Sequence, residues 1–204
     1  MPATSSIDVL LFDLGGVLVE FTGLRDLAAL LPSQLSETEI AKRWAACPHS
    51  LAFGTGALSA DAFADAFVRD WQIALEPEAF LDDYRFWSRG LLPGAADLLD
   101  TLRGRYRLAA LSNSNPVHWD RQTHDLGITA LFDAAISSHQ VGLRKPDPAI
   151  YIRALELLDV SADRVLFFDD AQGNVDSARS VGMHAARVDG AGGVRDQLER
   201  HGLL

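Results

Sequence analysis

Five short apolar runs set the terms for the fold: DVLLF (8–12), RLAAL (107–111), AAISS (134–138), RVLFF (164–168) and HAARV (184–188). A strand with one wet face alternates apolar and polar side chains, whereas a strand covered on both faces reads as continuous hydrophobe. These runs do not alternate. Between the later ones lie segments of helical period, AADLLDTLR, PAIYIRALELL and NVDSARSVGM. In the second of these, Ile150, Ala154, Leu157 and Leu158 fall on one face. Strand, helix, strand in repetition predicts a doubly wound α/β fold, a Rossmann-like core around a parallel sheet.

One interval breaks the rhythm. From about residue 20 to residue 87 no strand run stands out, and helical stretches such as SETEIAKRWAAC and SADAFADAFVRDW take its place. Ser36 and Glu39 have capping-box spacing, and Ser59 is placed to cap the second stretch. The chain therefore divides into a core, 1–19 and 88–204, and an inserted helical cap, 20–87. GAGGV near 190–194 reads as a loop before a short tail helix.

An open parallel sheet binds ligands outside the carboxyl ends of its strands. That rule selects residues directly. Asp13 follows the first strand, Ser112 and Asn113 the second (ALSNSNP), Lys145 the third (VGLRKPDP), and Asp169 with Asp170 the fourth (FFDDAQGN). Two adjacent acids at a strand end repel each other unless a cation sits nearby. Hard oxygen ligands without His or Cys point to Mg²⁺ and away from zinc.

The totals exclude several classes. The 204 residues, 48% of them hydrophobic, suffice for a sizeable core, and the formal net charge of −10 argues against a nucleic-acid or membrane surface. One cysteine, Cys47, excludes a disulfide framework and a CxxC metal site. No apolar run approaches the roughly 20 residues that span a bilayer. MPATSSID lacks the basic start and apolar stretch of a leader, so a soluble, cytoplasmic protein is expected. None of the six histidines has ligand-pair spacing, and Trp44, Trp71 and Trp87 are expected to pack within the cap. Gly54 and Gly56 make only a GxG without a preceding strand, which is no dinucleotide site.

The motifs together resemble the haloacid dehalogenase-like (HAD) hydrolases, in the branch with a helical cap after the first strand. FDLGGVLV is similar to that family's nucleophile motif, LSNSN to its Ser/Thr motif, Lys145 to its lysine and FFDDAQGNV to its acidic motif. FGTGALSADAF, LLPGAADLLDTL and GLRKPDPAIY are similar to the flanking text, so the resemblance covers nearly the whole chain. It implies a Mg²⁺-dependent phosphatase of small phosphorylated metabolites, with Asp13 forming an aspartyl-phosphate. Asp13, the Gly15 carbonyl and Asp170 would hold the metal. Gly16, Ser112, Asn113 and Lys145 would contact the phosphoryl group, Asp169 would orient Lys145 or a water, and Asn174 would stand behind them.

One departure matters. Phosphate-ester hydrolases of this family usually carry a second aspartate two residues after the nucleophile, as general acid and base, and here that position is Gly15. Such help is worth roughly 10²–10⁴-fold in rate. Glu20, His49 or the substrate itself could substitute. Two rival functions therefore stand beside the phosphatase. One is a haloacid dehalogenase, in which Asp13 attacks carbon, although that branch tends to lack the acidic pair. The other is a phospho-ligand-binding regulatory protein without turnover. Substrate identity and oligomeric state stay open at this level.

Overall fold

The computed structural model describes residues 7–32 and 35–204; the N-terminal segment read above as lacking a leader lies largely outside them. The chain begins with β1 (Val9–Phe12) and β2 (Val19–Phe21), then helices α1 (Gly23–Leu30), α2 (Glu37–Ala45), α3 (Pro48–Gly54), α4 (Ala60–Trp71) and α5 (Pro77–Arg85). It continues through β3 (Ser88–Leu91), α6 (Ala95–Leu102), β4 (Arg107–Ser112), α7 (Pro116–Asp120), β5 (Ala134–Ser137), α8 (Ser138–Val141) and α9 (Pro148–Leu158). β6 (Val165–Asp169), α10 (Gln172–Ser180), β7 (His184–Arg187) and α11 (Gly190–Arg200) complete it.

The five runs read as strands are the five strands of one parallel sheet, ordered β5-β4-β1-β6-β7. β1 is central, and its side chains divide by parity. Leu10 and Phe12 enter a cluster with Leu98 and Leu102 of α6 and Val194 and Leu198 of α11. Val9 and Leu11 enter the opposite cluster, with Ile150, Ala154 and Leu158 of α9 and Val175 of α10. Helices thus cover both faces, which explains why the strand runs are apolar at successive positions. Burying each large aliphatic side chain contributes about 1.5–3 kcal/mol.

Two helical details differ from the sequence reading. In α9 the buried arc runs from Ile150 through Ala154 and Leu158 to Tyr151, leaving Leu157 past its edge and 46% exposed. GAGGV is not a loop but the first turn and a half of α11, because Ala191 and Val194 are drawn into the core beside Leu198. Burial of that face outweighs the poor helix propensity of glycine. Gly193 also lies close against Val188, where a Cβ would sit 3.4 Å from the valine Cβ.

The helices from α1 to α5 form the cap around their own core of Phe53, Phe63, Phe67, Phe80, Tyr84 and Trp87. Both expected caps are present. Glu39 N–H donates to Ser36 Oγ at 3.3 Å while Ser36 N–H donates to Glu39 Oε2 at 2.9 Å, and Ala62 N–H donates to Ser59 Oγ at 3.3 Å. The sequence reading missed a two-stranded antiparallel ribbon, β2 with β3, where the chain enters and leaves the cap. VEF and SRGL are too short for any periodicity to register.

Cap and core meet through specific contacts. Ser138 Oγ donates to the Gly54 carbonyl at 2.6 Å and to the Ser114 carbonyl at 2.8 Å. A Cβ on Gly56 would lie 2.4 Å from the His139 carbonyl, so this glycine of FGTG serves close docking of the cap on α8. Between α5 and α7, buried His118 stacks on Tyr84 with ring centroids 4.2 Å apart. Its Nε2 donates to the Tyr84 carbonyl at 2.8 Å, and its Nδ1 accepts from Asn115 Nδ2 at 3.0 Å, which assigns a neutral tautomer. No helix among the described residues is long and apolar enough to cross a membrane.

Candidate active site

Parallel register brings the selected residues to one edge. Phe12 pairs with Ala110 on β4 and with Phe168 on β6, and Asp13 N–H donates to the Phe168 carbonyl at 2.8 Å. Asp13 therefore leaves β1 level with Asp169, while Ser112 ends β4 beside them. After Asp13 the chain turns sharply, as the N–H groups of Val17, Leu18 and Val19 all converge on the Leu14 carbonyl at 3.3, 2.9 and 2.7 Å. Gly16 completes that turn with φ +74°, a region that side chains with a Cβ disfavour.

Lys145 is the centre of the cluster. Its side chain is 1% exposed, and Nζ lies 2.9 Å from Asp13 Oδ1 and 2.7 Å from Asp169 Oδ2. Asp169 is wholly buried and fully committed, since its Oδ1 accepts from Asn174 Nδ2 and from Ala171 N–H, both at 2.9 Å. Asn174 thus stands behind Asp169, and Asp169 holds the lysine. Asp13 Oδ1 also accepts from Leu14 N–H at 2.7 Å, while Oδ2 has no hydrogen-bond partner among the described residues. The Ser112 hydroxyl likewise has none there, although the residue is only 4% exposed.

Asp13, Asp169 and Asp170 offer three carboxylate oxygens within 4.8 Å of one another. One lysine against three acids leaves two surplus negative charges. Burial pushes the Asp13 carboxyl up to about 7 against the pull of Lys145, with Asp169 adding to the rise. Desolvation and Asp169 also raise Asp170. Burial alone would lower the Lys145 ammonium, but Asp13 and Asp169 hold it above its ordinary value.

Two expected substrate contacts take other partners. The Asn113 amide is committed at both ends to Lys145, its Nδ2 donating to the Lys145 carbonyl at 2.9 Å and its Oδ1 accepting from Lys145 N–H at 2.8 Å. The Gly16 N–H donates to the Val19 carbonyl and the Gly16 carbonyl accepts from Gly190 N–H, both at 3.0 Å. Its backbone groups are therefore occupied, and what Gly16 provides is room for Asp170, whose Oδ2 would lie 2.7 Å from a Cβ placed there.

Of the two candidates for the missing acid, Glu20 lines a cavity of about 540 Å³ together with Gly15, Gly16 and Asp170. His49 lines neither this cavity nor its neighbour and pairs inside the cap with Asp70 at 3.0 Å. The neighbouring cavity, about 300 Å³, lies between cap and core and shares Phe21 and Leu24 as a wall with the first. Trp44, expected to pack, also lines it, and so do Ser50 and Arg144. No pattern marks those last two in the sequence; Arg144 is distinguished only by preceding Lys145.

A parallel α/β core with a helical cap and an acid–lysine cluster at its carboxyl edge defines a capped α/β hydrolase. The family model for haloacid dehalogenase-like hydrolases matches residues 7–182, and the chain belongs to that family. It is 30% identical over 205 residues to a phosphatase of Mycobacterium tuberculosis, covering 96% of this chain and 93% of the relative. A HAD family enzyme of Bacteroides thetaiotaomicron, solved in complex with magnesium and inorganic phosphate, has the same fold. The TM-score is 0.76 at 20% identity, over 90% of this chain and 95% of that one. The fold is also that of the L-2-haloacid dehalogenase from Xanthobacter autotrophicus, with a TM-score of 0.68 at 24% identity, covering 89% of this chain and 77% of the dehalogenase.

Proposed function

We propose that this chain is a Mg²⁺-dependent phosphatase of small phosphorylated metabolites, working through an aspartyl-phosphate on Asp13. The observation that carries the reading is the cluster of three carboxylates within 4.8 Å around one buried lysine. Its donor set fits Mg²⁺. Asp169 is occupied by Lys145, Asn174 and Ala171, which leaves Asp13, Asp170 and the Gly15 carbonyl as hard oxygen donors with surplus negative charge. When bound there, Mg²⁺ supplies positive charge against the phosphoryl oxygens. The phosphatase of Mycobacterium tuberculosis and the magnesium and phosphate complex of the Bacteroides enzyme support this assignment.

In the first half-reaction a carboxylate oxygen of Asp13 attacks phosphorus, and the bond to the leaving oxygen breaks with its electron pair. In the second, water attacks the same phosphorus, the bond to Asp13 breaks, and inorganic phosphate departs with the carboxylate restored. Lys145, fixed by Asp169 and by the Asn113 clamp on its backbone, keeps a positive charge beside the reacting oxygen. The Ser112 hydroxyl, without a hydrogen-bond partner among the described residues, is available to a phosphoryl oxygen. The leaving alkoxide needs a proton and the attacking water must lose one. Glu20 is the group we assign to both transfers, since it shares the cavity of Gly15 and Asp170.

Purified protein, assayed on p-nitrophenyl phosphate and a panel of phosphorylated metabolites with Mg²⁺ or EDTA beside Asp13→Asn, tests the reading. Phosphate release that needs Mg²⁺ and vanishes in Asp13→Asn is the expected result. Halide release from 2-haloacids in EDTA would establish the dehalogenase instead. Metabolite binding without product would establish the regulatory protein.

A further inference from the structure

The cavity between cap and core carries a cation without an anionic partner among the described residues. Arg144 is partly buried on its wall, and no hydrogen bond, ion pair or aromatic face among the described residues partners the guanidinium. Burial without an anion nearby pulls it below its ordinary value. Ser50, on the same wall, buries its hydroxyl, and that oxygen too has no hydrogen-bond partner. Native interiors rarely leave such groups unsatisfied, and exceptions call for a ligand or a water. The rest of the lining combines apolar and aromatic side chains, Phe21, Leu24, Trp44 and Leu51, with the polar residues Asn113, Ser114, Asn115 and Ser138.

Position says which part of a ligand would arrive there. Arg144 immediately precedes Lys145, whose side chain is committed to Asp13 and Asp169. Arg144 does not line the cavity of Gly15, Gly16 and Asp170; it lines the adjoining one, across the shared wall of Phe21 and Leu24. Asn113, next to Ser112, lines the same cavity as Arg144, so a molecule whose phosphoryl group is held at Asp13 and Ser112 has room to extend toward Arg144.

We propose that Arg144 forms an anion subsite, and that the substrate is a phosphate monoester whose leaving group carries an apolar or aromatic body ending in a second oxyanion, a carboxylate or a further phosphate. A planar guanidinium pairs with either oxyanion through two parallel hydrogen bonds. The substrate class rests on the phosphatase reading, while the anion subsite stands on the cavity alone.

The test uses the non-hydrolysing Asp13→Asn protein with Mg²⁺ and three aryl ligands: phenyl phosphate, 4-carboxyphenyl phosphate and 1,4-phenylene bisphosphate, titrated calorimetrically. At least one of the two doubly anionic esters is expected to bind roughly 10- to 100-fold more tightly than phenyl phosphate, the range of one charge-assisted pair. The tighter of the two identifies the second oxyanion. Adding Arg144→Gln should abolish the preference, and Arg144→Lys should retain part of it. No preference in the parent protein overturns the proposal, and that measurement needs no Arg144 variant to fold. A preference that survives Arg144→Gln overturns it as well. So does an equal weakening of all three ligands, which would place Arg144 on the transferred group. Turnover of the same esters by the unmutated protein is read separately. If none is hydrolysed while the Arg144-dependent preference holds, the phosphatase reading fails and the anion subsite stands.

Discussion

Asp170 rests its carboxylate against Gly16, with Oδ2 2.7 Å from the point where a Cβ would stand. Gly16 also has φ +74°, so Gly16→Ala meets two costs at once, a left-handed backbone and a displaced aspartate. The backbone part is about 1–2 kcal/mol, or roughly 2–8 °C in Tm for a chain of this size. If Asp170 holds Mg²⁺, the concentration giving half-maximal activity should rise about tenfold or more. A thermal melt and a Mg²⁺ titration of activity read the two effects separately, and an unchanged titration would remove Asp170 from the metal site.

The raised Asp13 carboxyl carries a sign that can be checked without substrate. Its folded value is about 7 and its ordinary value 3.8, so between them the folded state holds a proton that the unfolded chain has lost. This contribution to stability is present at low pH and declines as pH rises from about 4 to about 7. In metal-free protein the stability difference between Asp13→Asn and the unmutated chain should therefore shift in favour of Asp13→Asn across that window. Urea unfolding at a series of pH values in EDTA measures it. Mg²⁺ should shrink the shift by stabilising the ionised carboxylate.

Gly15→Asp, which restores a carboxylate two residues after Asp13, tests whether Glu20 carries the proton transfers. A Cβ at Gly15 meets only the Phe21 Cβ, at 3.8 Å, which is an ordinary contact, and Gly15 is not among the residues of positive φ. The side chain therefore enters without strain at its first atom. If proton transfer to the leaving group limits turnover, kcat should rise by about 10- to 100-fold, within the span of general acid catalysis. An unchanged kcat would mean that Glu20 already fills the role, and Glu20→Gln should then lower it by a similar factor.

His118 gives a stability profile of the opposite sign. Burial lowers it from 6.5 to about 4, so between those values the unfolded chain takes up a proton that the folded state refuses. Stability attributable to this residue is complete above about pH 6.5 and is lost as pH falls toward 4, by up to about 3 kcal/mol. Comparing urea unfolding of His118→Gln with the unmutated chain isolates the residue from Asp13. The difference between the two should narrow steadily over this range as the pH drops.

The strands of the sheet, the helices α6, α9 and α10 and the capping box of α2 were legible because each announces itself within a few residues. Asp13, Ser112, Lys145, Asp169 and Asp170 were selected as residues following strands, and the fold brings them to one edge, whereas Asn174 came only from the family resemblance. Leu157 and GAGGV were misread because both depend on where a helix lies against its neighbours. Local period put Leu157 on the apolar face, but the packed arc of α9 is centred nearer Tyr151. Glycine content spoke for a loop at 190–194, but the core beside Val194 and Leu198 recruits that turn.

Uninterrupted apolar runs required strands covered on both faces, and acids at their ends required a charged edge. Both conclusions follow from short-range chemistry that no folding partner alters. The choice among partners is different, because it depends on residues distant in the chain. Asn113 could have faced substrate, yet it clamps the backbone of Lys145, 32 positions away. Gly16 could have offered its amide, yet Val19 takes it, and the space above it belongs to Asp170. Arg144 sits beside Lys145 in sequence. The tertiary structure separates them, the core holding one ammonium between two carboxylates while the neighbouring guanidinium lies on the wall of the cap–core cavity, without an anionic partner among the described residues.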